Sequence, residues 1–332
     1  MKKIYVIQYG LGPIGIETAR YVLTKPNMSI VGAVDISKDM VGKDLGEVLG
    51  LDHTLDVTIT DNARQLLSKT RADVVIHTAG SRLKTIFPQL MEIVETGKNI
   101  VSSAEELLFP SKENTWLAEQ LNEKACDCSS TVLGTGVNPG FVMDALPLFM
   151  TGACQDVKAI RVDRIVDAGT RRYPLQKKVG AGMTPELFHA KVQEKAMGHV
   201  GLTESLNLIA YRTGFELDDV QETIEPVMAD KPVRTDYFDL QPGDVAGIKN
   251  IAIGYKDGVP LITLDLRMYI GAEDPHDALY IDGTPPVQLR IDGGIAGDKA
   301  TAAILVNSIS SVINATPGLL TVKDLPLPHF HL

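Results

Sequence analysis

Ile4-Tyr5-Val6-Ile7-Gln8-Tyr9-Gly10-Leu11-Gly12-Pro13-Ile14-Gly15 is the stretch that decides the fold. A β-rich run enters Gly-x-Gly-x-x-Gly, and helical spacing follows over residues 13–23. A glycine triplet set between a strand and a helix is the fingerprint of a dinucleotide-binding βαβ unit. Gly10 serves the tight turn, Gly12 lets backbone approach a pyrophosphate, and Gly15 lets the helix pack against its strand. Pro13 suits the first helical turn, where its missing N–H costs nothing. The N–H groups of that turn, with Ile14 beside Pro13, then face the phosphates at the positive end of the helix dipole.

Residues 29–34 read as the next strand. It ends at Asp35, about twenty residues past the fingerprint, where an acid can accept both ribose hydroxyls of NAD. Ser37 and Lys38 follow in the same loop and are expected to border the cofactor. Asp35 repels a 2′-phosphate and favours NAD, whereas Lys38 offsets part of that charge, so NAD, NADP or both are expected.

The bulk properties bound the rest. A chain of 332 residues is long for one core and suggests two domains. Its 44% hydrophobic and 22% charged residues are the proportions of a soluble globular protein. A net charge of −10 argues against nucleic acid or an anionic membrane as partner. No apolar run reaches the length of a membrane span, and the first residues enter a strand directly, so a cytoplasmic protein is expected. Cys126, Cys128 and Cys154 make no disulfide framework. Cys126-Asp127-Cys128, and His329 with His331 in the tail, lack the further ligands a metal needs, and no metal is expected.

Past Asp35 the strand–helix alternation continues. Residues 73–77 form an apolar strand of the kind buried in a parallel sheet. It ends in Thr78-Ala79-Gly80-Ser81, and ligands of open α/β sheets sit beyond the carboxyl ends of strands, which makes Thr78 and Ser81 candidates to line the cofactor. A helical stripe over 83–96 leads to a strand at 99–101 and then to Ser102-Ser103-Ala104-Glu105-Glu106. A helix over 113–124 and a strand over 131–133 run into a second glycine-rich turn, Gly134-Thr135-Gly136-Val137-Asn138-Pro139-Gly140-Phe141. This order predicts a Rossmann-type doubly wound parallel sheet over residues 1–150.

From residue 151 the pattern changes. A strand over 157–166 precedes the basic stretch Arg171-Arg172-Tyr173-Pro174-Leu175-Gln176-Lys177-Lys178, read as a solvated strand end or as a clamp for a substrate carboxylate. Thr184-Pro185-Glu186 opens a helix, and another runs over about 199–212. β-rich stretches at 220–227, 245–255 and 261–269 follow, the last two joined by the hairpin signal Asp257-Gly258. The prediction is a second, α+β domain over 151–295 with a mainly antiparallel sheet, a surface on which a homodimer is expected to form. Residues 297–314 make one apolar-faced helix that should return to the first domain, so that 296–332 rejoin it.

Chemistry is sought in Ser102–Glu106, at the carboxyl end of a strand where a nicotinamide would sit. Both Ser102/Glu105 and Ser103/Glu106 have the spacing of a capping box. Only one pair can cap, which leaves a carboxylate to act as general base or to stabilise a developing iminium cation.

Gly-Leu-Gly-Pro-Ile-Gly, Ser-Ser-Ala-Glu-Glu-Leu, Gly-Thr-Gly-Val-Asn-Pro-Gly-Phe, Arg-Arg-Tyr-Pro-Leu-Gln-Lys-Lys-Val-Gly-Ala-Gly and Gly198-His199-Val200-Gly201-Leu202-Thr203-Glu204-Ser205 stand together in this chain. In that combination it resembles the 2,4-diaminopentanoate dehydrogenases and related native amine dehydrogenases, which carry a dihydrodipicolinate-reductase-like N-terminal domain. The resemblance implies NAD(P)-dependent oxidative deamination of an amine, with reductive amination of a ketone by ammonia in reverse. It implies an essential carboxylate at Glu105, with Glu106 as the alternative. Asn138 and Phe141 would then border the nicotinamide and the substrate. Tyr173, His199 and Thr301 are further pocket candidates, His199 being otherwise a helix-capping or solvent-facing residue. Two other readings compete: a carbon–nitrogen double-bond reductase like dihydrodipicolinate reductase, whose His-His…Lys and Ser-Gly-Thr motifs are missing here, and a nucleotide-sensing protein without catalysis.

Overall fold

The computed structural model describes residues 3–330, so His331 of the tail motif lies outside the described residues. The chain forms two compact units, one running through Phe141 and resuming at Ala296, the other spanning Val142–Ile295. The first builds β1 (Ile4–Tyr9), α1 (Pro13–Leu23), β2 (Met28–Val34), α2 (Leu45–Leu49), β3 (Ile59–Thr60), α3 (Ala63–Lys69), β4 (Val74–His77), α4 (Leu83–Val94), β5 (Asn99–Ser102), α5 (Thr115–Asp127) and β6 (Thr131–Gly134). The second builds α6 (Ala145–Thr151), β7 (Asp156–Asp167), α7 (Tyr173–Lys178), α8 (Pro185–Gln193), α9 (Leu202–Thr213), β8 (Asp219–Met228), β9 (Val233–Arg234), β10 (Asp239–Leu240), β11 (Val245–Lys256), β12 (Val259–Tyr269), β13 (His276–Thr284) and β14 (Val287–Asp292). The chain then returns with α10 (Gly297–Ile313) and β15 (Gly318–Leu320).

Unit 1 is a seven-stranded parallel sheet in the order β15-β6-β5-β4-β1-β2-β3, the Rossmann-type arrangement expected. Its central strands are apolar on both sides because both faces are covered. Val6, Val74, Ile76, Val101 and Leu133 face a cluster containing Ala19 and Val22 of α1 and Leu305, Ile309 and Val312 of α10. Ile7, Val75, Ile100 and Val132 point the other way, onto Leu83, Ile86, Leu90 and Ile93 of α4 and Leu121 of α5. Alternate residues on one strand thus feed two cores. The returning helix packs on α1 and on β5, as its stripe predicts. Each fully buried aliphatic side chain of α10 contributes roughly 1.5–3 kcal/mol. The three-residue strand β15 was not expected; it lies parallel beside β6.

Unit 2 carries a six-stranded sheet ordered β14-β13-β7-β12-β11-β8. Four of its pairings are antiparallel, and β7 with β12 is parallel. Helix α9 packs on β11 and β12, and α6 on β7. Between the interior strands β7 and β13, the buried Arg164 Nη1 lies 2.7 Å from both carboxylate oxygens of Asp277, while its Nη2 donates to Ile295 O at 2.8 Å.

Three features depart from the sequence expectations. Residues 142–150, grouped above with the first domain, lie in unit 2. The basic stretch is not a strand end: Pro174 sits in the first turn of α7, and Lys177 and Lys178 fall in its last turn, where cations suit the helix dipole. Strands β13 and β14 went unread because Asp277, Asp282, Gly283, Pro285 and Pro286 are loop-forming letters.

Candidate active site

The fingerprint loop is fixed from below. Gly10 has φ +90°, and a Cβ there would stand 2.9 Å from the Thr78 carbonyl carbon. A Cβ on Gly15 would stand 2.0 Å from Gly10 O, so the helix can sit this close only as glycine. Thr78 Oγ1 donates to Gly10 O at 2.8 Å. The fully buried Gln8 donates from Nε2 to Gly10 O at 2.9 Å and to Thr78 Oγ1 at 3.0 Å. Thr78, expected to line the cofactor, therefore has its hydroxyl engaged with the loop carbonyl. Gln8 went unnoticed because a polar residue inside an apolar strand carries no motif.

Above the loop the arrangement suits a dinucleotide. Helix α1 starts after Gly12 with Pro13 in its first turn and no side-chain cap. A Cβ on Gly12 would meet nothing within 4 Å, which is the space a pyrophosphate needs. Asp35 stands at the end of β2, and its two oxygens accept from Leu11 N at 2.6 Å and Ser37 N at 2.8 Å. Each oxygen keeps lone-pair capacity for a ribose hydroxyl. The acid thus joins the fingerprint loop to the Ser37 loop. Lys38 is exposed beside it.

Beyond β4 and β5 the chain holds its carboxylate turn. Glu105–Leu107 form a turn of 3-10 helix. Ser103 and Glu106 form no capping box, because their partners are elsewhere. Glu106 Oε2 accepts from Leu83 N at 2.8 Å and from Asn114 Nδ2 at 3.1 Å, so it caps α4 from outside that helix. Arg82 Nη1 lies 3.5 Å from Glu106 Oε1. Ser102 Oγ accepts from Ala104 N at 3.2 Å and lies 2.9 Å from His77 Nδ1. The backbone is tied as well: Ser103 N donates to His77 O at 3.0 Å and Glu106 N to Ser81 O at 3.1 Å. Leu107 is fully buried, and a Cβ on Gly134 of β6 would collide with its carbonyl carbon at 2.6 Å. Glu105 sits half-buried between these anchors. His77, read only as a strand end, has no exposure, and burial depresses its pKa to about 4 despite an opposing hydrogen bond to Gln89 Oε1.

The second glycine turn is bound to the returning helix. Val137 N donates to Thr301 Oγ1 at 3.3 Å, and Gly136 approaches the same side chain. Asn138 and Phe141 follow in this turn, both half-buried. Tyr173 and His199 belong to unit 2. Tyr173 is 44% exposed at the start of α7 and stacks on Phe238 with ring centroids 5.8 Å apart. His199 is not the cap of α9, whose N-cap is Gly201; its backbone N–H donates to Oδ1 of the buried Asn250 at 2.9 Å. Cys126 and Cys128 close the end of α5. Among the described residues no group of three or more His, Cys, Asp or Glu is placed to hold a metal, and no helix is long and apolar enough to cross a membrane.

A seven-stranded Rossmann sheet with an open glycine loop, an acid at the end of β2 and a carboxylate turn two strands away defines the class: a dinucleotide-binding oxidoreductase architecture. The comparisons narrow it. Residues 141–332 match the family model of the 2,4-diaminopentanoate dehydrogenase C-terminal domain, and residues 3–104 that of the dihydrodipicolinate reductase N-terminus. The chain is 33% identical to a 2,4-diaminopentanoate dehydrogenase of Acetoanaerobium sticklandii, over 99% of this chain and 95% of that one. It is 24% identical to an amine dehydrogenase of Streptomyces virginiae, over 98% and 96% of the two chains. The structure of an amine dehydrogenase from Mycobacterium smegmatis matches with a TM-score of 0.87 at 26% identity, covering 99% of this chain and 97% of that one. The chain belongs to the 2,4-diaminopentanoate dehydrogenase family. The dihydrodipicolinate-reductase likeness in the family models is confined to residues 3–104, which carry the nucleotide loop and not the rest of the chain.

Proposed function

We propose that this protein is an NAD(P)-dependent amine dehydrogenase that deaminates a small amine or diamino acid such as 2,4-diaminopentanoate, and in reverse aminates a ketone with ammonia. The observation that carries it is Glu105, half-buried on a short turn at the carboxyl end of β5, in a chain matched along 99% of its length by a named 2,4-diaminopentanoate dehydrogenase. The dinucleotide, when bound, supplies the hydride acceptor or donor; Gly10, Gly12, Pro13 and Ile14 would hold its phosphates, Asp35 and Ser37 its ribose, and Ser81 and Asn138 its nicotinamide end. We take NAD as preferred because Asp35 is anionic, with Lys38 permitting NADP.

Glu105 takes a proton from the substrate ammonium and releases it to solvent, which leaves the carboxylate ionised, since only a neutral amine can release hydride from its carbon. The nitrogen is cationic once that hydride has left, and an ionised carboxylate stabilises this iminium far better than an apolar wall would. Water then adds to the carbon and gives up a proton to the ionised Glu105, which passes it to nitrogen; the C–N bond breaks, ammonia departs, and the hydroxyl proton goes to Glu105 as the ketone forms. Phe141, Tyr173, His199 and Thr301 carry the substrate side of this proposal. A second copy of the chain is proposed to pack on the unit 2 sheet, on the face where Arg161 pairs with Asp163 at 2.8 Å and Arg267 with Asp265 at 2.6 Å. The site of action proposed is the cytoplasm, where free Cys126, Cys128 and Cys154 stay reduced.

The test is turnover followed by absorbance of the reduced dinucleotide. One arm supplies NAD or NADP with 2,4-diaminopentanoate or simple amines; the other supplies the reduced form with ketones and ammonia. Activity in both directions is expected. Failure of both arms with folded protein overturns the reading.

A further inference from the structure

A polar chain runs through the sheet beneath the carboxylate turn. Val74, Val75 and Ile76 are fully buried aliphatics, yet the next residue of β4, equally buried, is His77. An aliphatic residue would fill that place without desolvating two ring nitrogens, which costs free energy unless both are hydrogen-bonded. Both are: Nε2 lies 2.9 Å from Gln89 Oε1, and Nδ1 lies 2.9 Å from Ser102 Oγ. A carbonyl oxygen only accepts, so the ring hydrogen is assigned to Nε2 and Nδ1 is the bare acceptor. Ser102 then donates its hydroxyl to Nδ1, which leaves its lone pairs for Ala104 N, 3.2 Å away. His77 and Ser102 are register partners on adjacent strands, and the Tyr9 ring on β1 lies tilted by 42° with its centroid 5.3 Å from that of the imidazole.

We propose that His77 is a positioning residue: through Ser102 it sets the backbone of the turn that carries Glu105. The inference rests on the reading of Glu105 as the acting carboxylate. The chain orders Gln89, His77, Ser102 and Ala104 N in one direction, so the tautomer of His77 decides which way the Ser102 hydroxyl points. Removing the acceptor frees that hydroxyl and loosens Ala104, one residue before Glu105. Glu106 holds the other side of the turn through Leu83 N, which keeps the fold while the carboxylate drifts.

The experiment compares His77→Phe, which keeps the ring contact and loses both nitrogens, with His77→Asn, whose oxygen can replace Nδ1 as acceptor. We expect kcat for amine oxidation to fall about tenfold or more in His77→Phe and to recover most of that loss in His77→Asn, with KM for the dinucleotide within about twofold throughout. A kcat unchanged in folded His77→Phe, or no better in His77→Asn, overturns the inference. A merely structural role would move melting temperature and both KM values together. Should His77→Phe not fold, Ser102→Ala against Ser102→Thr asks the same question with the same expected pattern. NMR of the wild-type ring nitrogens is independent of turnover: it should report neutral His77 with the proton on Nε2, and accelerated Ala104 amide exchange in Ser102→Ala. A His77 that carries its proton on Nδ1, or Ala104 exchange unmoved, overturns the tether. Wild type inert on every amine would instead remove the Glu105 reading and leave these NMR outcomes standing.

Discussion

Glu106→Ala is expected to cost stability and spare chemistry, and Glu105→Gln to do the reverse. Glu106 accepts from Leu83 N at 2.8 Å and Asn114 Nδ2 at 3.1 Å, and its side chain is 14% exposed. A hydrogen bond to a charged group is worth about 1.5–3 kcal/mol, and a lost N-terminal cap about 1 kcal/mol. The two overlap at Leu83 N, so the loss should total about 2–3 kcal/mol. The Arg82 pair at 3.5 Å, with an arginine half in solvent, adds little. In a domain of this size 1 kcal/mol moves Tm by roughly 2–4 °C, which puts Glu106→Ala about 4–12 °C below wild type. Glu106→Gln retains an acceptor for Leu83 N and should recover at least half of that. Glu105→Gln keeps shape but removes the base and the charge, so kcat should drop by about 10²–10⁴ with Tm within about 2 °C. Thermal melts and steady-state rates on the same three preparations decide it. If Glu106→Ala melts like wild type and is inert while Glu105→Gln turns over, the two carboxylates have been assigned the wrong way round.

Asp35→Ala removes the acceptor of both Leu11 N and Ser37 N; calorimetric titration should show NAD binding weakened by about tenfold or more with no gain for NADP, and a simple switch to NADP would refute the joining role. Gly12→Ala should melt normally and lose dinucleotide affinity, whereas Gly15→Ala, with its Cβ 2.0 Å from Gly10 O, should be destabilised even without cofactor; equal melting of the two would contradict the loop geometry. His77 supplies a pH dependence. Its folded pKa of about 4 lies below the ordinary 6.5, so as pH falls through that window the unfolded chain takes up a proton that the folded chain does not. Stability should therefore decline by about 3 kcal/mol from about pH 6.5 to about pH 4 on this account. His77→Asn should flatten the decline relative to wild type in urea unfolding, and identical slopes would refute it.

What could be read from the sequence was what is local in it. The glycine loop and Asp35 are legible because strand, turn, helix and acid follow one another within a single βαβ unit. The apolar strands of unit 1 are legible because burial on both faces leaves a continuous aliphatic run. The partners of polar side chains are not local. Glu106 offers a capping box to Ser103 at short range, yet it caps Leu83, 23 residues earlier, where an otherwise bare helix end needs an acceptor. Asp277 looks like a loop residue until Arg164, 113 positions away, neutralises it inside the sheet. His77 closes an apolar strand and shows its purpose only when Ser102 and Gln89 arrive beside it. Thr301 gave a hint of function by its place in α10, and the structure shows it holding Val137 N.

The interrupted first unit has a consequence for synthesis. Helix α10 and strand β15 leave the ribosome only after the whole of Val142–Ile295. At roughly 5–20 residues per second that interval lasts on the order of ten seconds. Throughout it Val74, Val101 and Leu133 lack the Leu305, Ile309 and Val312 side chains that cover them, and β6 has an open edge. The nascent chain therefore carries a bare apolar face beside an unpaired strand, the combination most prone to wrong pairing between neighbouring polypeptides. A ribosome that stalls within the second unit would release a chain with an intact nucleotide motif and an incomplete core, a species for chaperones and proteases to meet.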